Sequence, residues 1–159
     1  MADLESSNAC LLSGDTSKAR ASADHLLESA LATSDPYLQT LAWNQQARVA
    51  TAESDLRTAR ESIQRALAIV DSSEIGSGAW QTFATASQVY RDAKELRTAE
   101  MYRDRAESCV LQIANSFEPA EPLRATFLAA APVRQILQGT AAIKSTRPRR
   151  LSSSSMPEA

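Results

Sequence analysis

Glycine and aromatic residues are scarce in this chain. Its 159 residues include four Gly, two Trp, three Tyr and three Phe. β-Sandwiches and β-barrels need frequent turn glycines and strands rich in aromatic and β-branched residues. The composition therefore argues against an all-β fold.

Cysteine and histidine are scarcer still. Cys10, Cys109 and His25 are the only residues of these two types, which is too few for a disulfide framework or a His/Cys metal cluster. We therefore predict no metal and no cofactor, and we expect both cysteines to be buried as small apolar side chains. The chain shows no basic start followed by an apolar segment and no run of about 18 apolar residues. The sequence thus predicts a cytoplasmic protein without a membrane span.

The motifs of enzyme chemistry are missing as well. The four glycines are spaced too irregularly for the phosphate-binding patterns G-x-x-x-x-G-K and G-x-G-x-x-G. His25 has no nucleophile in a recognisable arrangement, and the acids of 95–107 alternate with bases as on a solvated helix face. We expect a non-enzymatic protein with no small-molecule substrate. A net charge of -2 and a basic patch confined to 144–150 also argue against nucleic-acid binding.

Alanine, by contrast, is abundant. The 29 alanines favour helices, because Ala has the best intrinsic helix propensity. Ser34-Asp35-Pro36 has the pattern of an N-cap followed by proline in the first turn. The periodicity predicts an all-α fold with helices at about 3–12, 16–32, 36–53, 56–71, 79–92, 95–115, 121–130 and 132–138. Gly139 is expected to cap the last helix, and 139–159 to form a disordered tail containing Ser and Arg.

A repeat of 40 residues is present within the predicted helices. The segment Asp55–Arg60 reads DLRTAR, and Glu95–Glu100 reads ELRTAE. The same offset pairs Trp43 with Phe83 and Ala66 with Ala106, and it leads from Ala59 back to Ala19. Since one helical hairpin cannot bury both of its faces, three such hairpins are expected to stack.

This repeat resembles the tetratricopeptide repeat (TPR) family. In the family pattern, a second-helix alanine follows a large aromatic residue by sixteen positions and a small residue by twelve, and it precedes a bulky residue by four and another alanine by seven. Around Ala59 these positions hold Trp43, Ala47, Ile63 and Ala66, and around Ala99 they hold Phe83, Ser87, Arg103 and Ala106. The period exceeds the 34 residues of the family, and it is similar to that of long-repeat arrays in bacterial signalling regulators.

The resemblance implies a TPR-like α-solenoid at 1–138, with about three stacked antiparallel hairpins and a C-terminal capping helix. The first hairpin is expected to be atypical, because it lacks the aromatic residue. Five apolar residues are expected to cover the last hairpin: Leu123, Phe127, Val133, Ile136 and Leu137.

In such an array the first helices of the hairpins form a concave face. By the helical period, six polar residues of two first helices share it: Asn44, Arg48, Thr51, Gln81, Gln88 and Arg91. Two arginines among amides suit an extended or acidic peptide. The alternative is that these are ordinary solvated positions of amphipathic helices. Of the residues in the family's clamp for chaperone tails, only Asn8 has a match.

The sequence therefore predicts a non-enzymatic scaffold that binds a partner protein or peptide through this concave face. The alternative function is that of the C-terminal regulatory or sensor part of a larger bacterial signalling ATPase, cyclase or transcriptional regulator.

Overall fold

The fold within residues 2–146 is entirely helical, as predicted. The computed structural model describes these residues, with the backbone alone for 139–146. Eight α-helices and one short 3₁₀ helix make up this part of the chain. They are α1 (Ala2–Ser13), α2 (Thr16–Leu31), α3 (Pro36–Ala52), α4 (Leu56–Ser72), the 3₁₀ helix (Gly76–Ala79), α5 (Trp80–Asp92), α6 (Leu96–Ser116), α7 (Pro122–Ala129) and α8 (Ala131–Thr146). None of these helices has the length and apolarity needed to cross a bilayer.

Aspartates cap three of the helices. The carboxylates of Asp15 and Asp55 accept the backbone N–H three residues on, and Asp35 accepts the N–H of Tyr37, with Pro36 in the first turn of α3. These bonds satisfy N–H groups that a helix start leaves without an intrahelical partner. The N-cap predicted at Asp35 is therefore confirmed.

The turns within the first three helix pairs are built alike. Gly14, Ser54 and Lys94 have positive φ values of 78°, 62° and 65°. The residue after each donates its N–H to the carbonyl five residues back, over 2.9 Å to Cys10, 2.9 Å to Ala50 and 2.8 Å to Tyr90. Both features recur at the 40-residue spacing, so the first pair, predicted to be atypical, has the same turn as the other two.

Each helix packs against its neighbours in the chain. The pairs α1/α2, α3/α4 and α5/α6 have the most extensive contacts, and α2 also packs on α3 and α4 on α5. The first helices of the pairs meet as well, α1 with α3 and α3 with α5. The repeat alanines lie at these contacts and are almost inaccessible to solvent: Ala19, Ala59, Ala66, Ala99 and Ala106.

The last helix covers α6, but not with all the residues that the sequence suggested. Val133 and Ile136 are buried in the main core, and Phe127 and Leu137 pack partly against it. Leu123 is exposed on α7, so its predicted role in the cover is wrong.

Helix α8 also does not end before Gly139 as predicted, but continues to Thr146. A single interior glycine costs a helix only about 1 kcal/mol relative to alanine, and two good helix formers follow at 141 and 142. The predicted end of this helix at 138 is therefore wrong, while 147–159 lie outside the described residues.

Candidate ligand-binding cleft

Three of the six predicted contact residues lie on α3, and two of them donate hydrogen bonds within the chain. Arg48 is exposed, yet its guanidinium donates to Asn8 on α1 and, over 2.8 Å, to Gln45 Oε1. Its surroundings desolvate the guanidinium and lower the pKa of Arg48. The Thr51 hydroxyl donates over 2.8 Å to a carbonyl one turn back in α3. Asn44 is buried, and its Oδ1 has no hydrogen-bond partner among the described residues. The structure thus places Arg48 at the contact between α1 and α3.

A buried polar chain supports this contact. Gln45 is fully buried, and its Nε2 donates over 2.8 Å to Ser7 Oγ. The Ser7 hydroxyl in turn donates over 3.0 Å to the carbonyl of Ala19 on α2. These bonds join the first three helices through side chains that are enclosed by protein. Sequence reasoning did not predict these bonds, because the bonded residues lie 12 and 38 positions apart.

The other three predicted residues lie on α5, and two of them come together. Gln88 and Arg91 line a cleft of about 270 Å³ between α5, α6 and α8. Gln81 is exposed and does not line it. Gln88 donates over 2.8 Å to Asp92, while Arg91 forms no ion pair with any described residue. The cleft is therefore bordered by Arg91, which is predicted to lie on the concave face and has no ion pair among the described residues.

The lining of this cleft combines cationic, amide and apolar side chains. Its ten residues are Trp80, Ala84, Ser87, Gln88, Arg91, Arg103, Ala106, Pro132, Gln135 and Ile136. Two are arginines, and none of these described lining residues is an acid. The α5–α6–α8 cleft therefore presents two guanidinium groups, one of them paired with Asp104, beside partly apolar walls.

Two buried polar atoms in the lining lack partners. Ser87 Oγ and Arg103 Nε are closed from solvent and have no hydrogen-bond partner within the described part of the chain. Arg103 is only 9% exposed. Its ion pair among the described residues joins Nη2 to Asp104 Oδ1 over 3.3 Å, and the Asp104 side chain is 65% exposed. Because nearly all buried polar groups are paired, two unpaired buried atoms in the lining of one cleft require an explanation.

The sequence carried a signal for both residues. At the 40-residue offset, Ser87 corresponds to Ala47 and Arg103 to Ile63. Ala47 and Ile63 are fully buried core residues. The third hairpin, α5 and α6, therefore places a hydroxyl and a guanidinium at positions that are apolar in the second hairpin, α3 and α4.

A larger cleft, of about 730 Å³, lies between α4, the 3₁₀ helix and α6. Its cation is already engaged, because Arg105 lies over the Phe83 ring at 4.1 Å and pairs with Asp71 at 3.3 Å. Burial raises the pKa of the Cys109 thiol in its wall, which disfavours the reactive thiolate. This cleft therefore offers less unpaired polarity than the α5–α6–α8 cleft.

The remaining candidate chemistry lies on the surface. His25 Nδ1 is 3.0 Å from Asp3 Oδ2, and both side chains are open to solvent. Within the described region, no three His, Cys, Asp or Glu side chains are grouped to hold a metal ion. Comparisons with protein-family models, with curated proteins and with solved structures find no match to this chain.

Proposed function

We propose that this protein is a non-enzymatic scaffold whose hairpins stack as a TPR-like solenoid and bind a partner protein or peptide. The observation that carries the proposal is the turn with positive φ at residues 14, 54 and 94. Identical turns at a constant spacing give neighbouring hairpins the same geometry, as stacked repeats require.

A second recurring contact supports this equivalence. Arg65 lies over the Trp43 ring at 4.7 Å in the second hairpin, and Arg105 lies over the Phe83 ring at 4.1 Å in the third. Both pairs are related by the 40-residue offset. The two hairpins therefore share a side-chain arrangement as well as a turn. Each cation–π contact of this kind stabilises by about 0.5–1 kcal/mol at exposed sites.

We place the partner contacts on α5, in the third hairpin of the array. Arg48 is held at the contact between α1 and α3, whereas Arg91 and Gln88 border the α5–α6–α8 cleft. An unpaired arginine beside apolar walls is the kind of residue that dominates binding energy in protein interfaces. We therefore place the peptide along α5, with Arg91 as a principal contact.

Selection from a displayed library of random peptides on the immobilised protein tests the function. Enriched peptides are then titrated by fluorescence anisotropy against wild type, Arg91→Glu and Arg57→Glu. The last variant makes the same charge change on α4, outside the cleft, at a side chain that is 85% exposed.

We expect enrichment, and we expect Arg91→Glu to weaken binding at least tenfold while Arg57→Glu leaves it within about twofold. Arg91 borders the cleft and is covered when a peptide binds there, and a covered charge contact is worth more than one that stays in solvent. A selection without enrichment contradicts the scaffold function, and equal loss in both variants contradicts the placement at α5.

A further inference from the structure

We propose that the α5–α6–α8 cleft binds a carboxylate group of the peptide partner, with Arg103 and Arg91 as cationic donors and Ser87 as a hydroxyl donor. This inference rests on the proposed peptide-binding function, since it names the chemistry of the partner at the same site.

The first support is the replacement of core residues by polar ones. The second hairpin fills the equivalent positions with Ala47 and Ile63, both fully buried. The second hairpin thus accommodates an apolar pair at these positions, so the hairpin by itself does not call for a hydroxyl or a guanidinium there. Buried polar groups without partners reduce stability, and a ligand that supplies an acceptor removes that cost.

The second support is the donor set. A guanidinium presents parallel N–H groups that match the two oxygens of a carboxylate, and a serine hydroxyl adds one further donor. Arg91 supplies a second positive charge, and no acid is present among the described lining residues. A ligand with two acceptor oxygens and one negative charge complements this arrangement.

The third support is the size and polarity of the walls. A volume of about 270 Å³ lies below the roughly 300–1,000 Å³ of typical small-molecule sites. Ala84, Ala106 and Ile136 supply apolar surface beside the donors. One acidic group on a short aliphatic stem therefore suits the cleft better than a whole metabolite.

Binding requires a local exchange of partners. Arg103 Nε is closed from solvent, and Nη2 is held by Asp104 over 3.3 Å. Because the Asp104 side chain is 65% exposed, the pair is screened and weak. An incoming carboxylate takes the place of Asp104, and a rotation of the guanidinium then presents Nε to the second oxygen.

The site is tested by NMR on the full chain, through the side-chain Nε–Hε signal of Arg103. The signal is assigned by its absence in Arg103→Ile, a variant that installs the residue of the second hairpin. Three probes are titrated at constant ionic strength. N-acetylglutamate N′-methylamide carries a side-chain carboxylate, N-acetylleucine carries a terminal carboxylate, and N-acetylglutamine N′-methylamide is neutral.

We expect a saturable shift of the Arg103 signal with a carboxylate probe and none with the neutral amide, and the tighter carboxylate identifies the source. Arg91→Glu should weaken that probe at least tenfold, and so should Arg103→Lys, which keeps the charge but loses the fork. Because Arg103→Lys has no guanidinium signal, its binding is followed through the backbone amide signal of Ser87. The absence of a shift with either carboxylate, or an equal shift with the neutral amide, overturns the proposal.

These results are separable from those for the scaffold function. If peptides are enriched but lack acids and bind Arg103→Ile as well as wild type, the carboxylate site is refuted and the scaffold stands. If carboxylate probes shift Arg103 but no peptide is enriched, the site stands as an anion site and the scaffold function is refuted.

Discussion

Replacing Ser87 and Arg103, the two cleft residues with unpaired buried atoms, by the equivalent residues of the second hairpin should stabilise the protein. The double variant Ser87→Ala/Arg103→Ile removes Ser87 Oγ and Arg103 Nε, two buried atoms without partners in the described chain. It introduces the residues found 40 positions earlier, Ala47 and Ile63, which pack with no exposed surface. The change therefore restores an apolar arrangement that the same hairpin geometry already accommodates.

The expected gain is one favourable contribution less two unfavourable ones. Each unpaired buried polar group costs about 1–3 kcal/mol. The lost contact between Arg103 and Asp104 is worth about 0–1 kcal/mol, because Asp104 is largely exposed. Isoleucine is smaller than arginine and fills less space, which offsets part of the gain. We expect a net increase in the free energy of unfolding of about 1–3 kcal/mol, or roughly 2–4 °C in Tm for each kcal/mol.

Urea unfolding followed by far-UV circular dichroism measures the change. The midpoint should rise without a change in slope, as expected when stability alone is altered. The single variants complete a double-mutant cycle and report any coupling between the two sites. The matched control is Ile63→Arg, which puts an unpaired charge into the second hairpin and should lower stability by about 3–5 kcal/mol.

One result would refute the reasoning. If Arg103→Ile lowers the free energy of unfolding by more than about 1 kcal/mol, the guanidinium supports the fold, and its lack of partners gives no indication of a ligand. If Ser87→Ala alone leaves the free energy of unfolding unchanged, the destabilisation comes from Arg103 alone.

Three further variants test a turn of the repeat, a helix cap and the buried polar chain between α1 and α3. Lys94→Gly should stabilise by about 0.5–1 kcal/mol, because Lys94 has a φ of 65°; Lys94→Ala should give no such gain in urea unfolding. Hydrogen bonds from Thr58 lower the pKa of Asp55, so its contribution to stability is present above the unfolded carboxyl pKa of about 3.9 and is lost as the pH falls through the folded value. Asp55→Asn keeps a cap without this titration, and its Tm should therefore fall less than that of wild type between about pH 5 and about pH 3. Gln45→Ala should cost about 2–3 kcal/mol, because Gln45 donates to Ser7 over 2.8 Å; hydrogen exchange should accelerate in α1, and unchanged exchange there would contradict this role.

Local sequence signals predicted the helices well. Asp35 caps α3 as expected, and helices end and begin in the predicted gaps at 13–15 and 72–78, although 76–79 form a 3₁₀ helix. The error at Gly139 has a local cause too, since glycine in a helix interior costs little when good helix formers follow. Capping and helix propensity act over about four residues, so they can be read from a single segment.

Side-chain partners across hairpins were harder to predict. Arg48 was assigned to a binding face by helical period, yet it donates to Asn8, 40 residues away. Gln88 and Arg91 were assigned by the same period, and they border a cleft that α8 helps to form. Helical period gives the face on which a residue lies, but not which distant helix covers that face.

The sequence by itself determined the all-helical class, the 40-residue period and the small alanines at the helix contacts, because each depends on residues within one hairpin or on a regular recurrence. The tertiary structure decided which polar residues are used internally and which remain unpaired. Arg103 shows the distinction most clearly. The repeat aligned it with Ile63 at the position of a bulky residue, but only the packing of α5, α6 and α8 revealed that its buried nitrogen has no partner among the described residues beside a cleft.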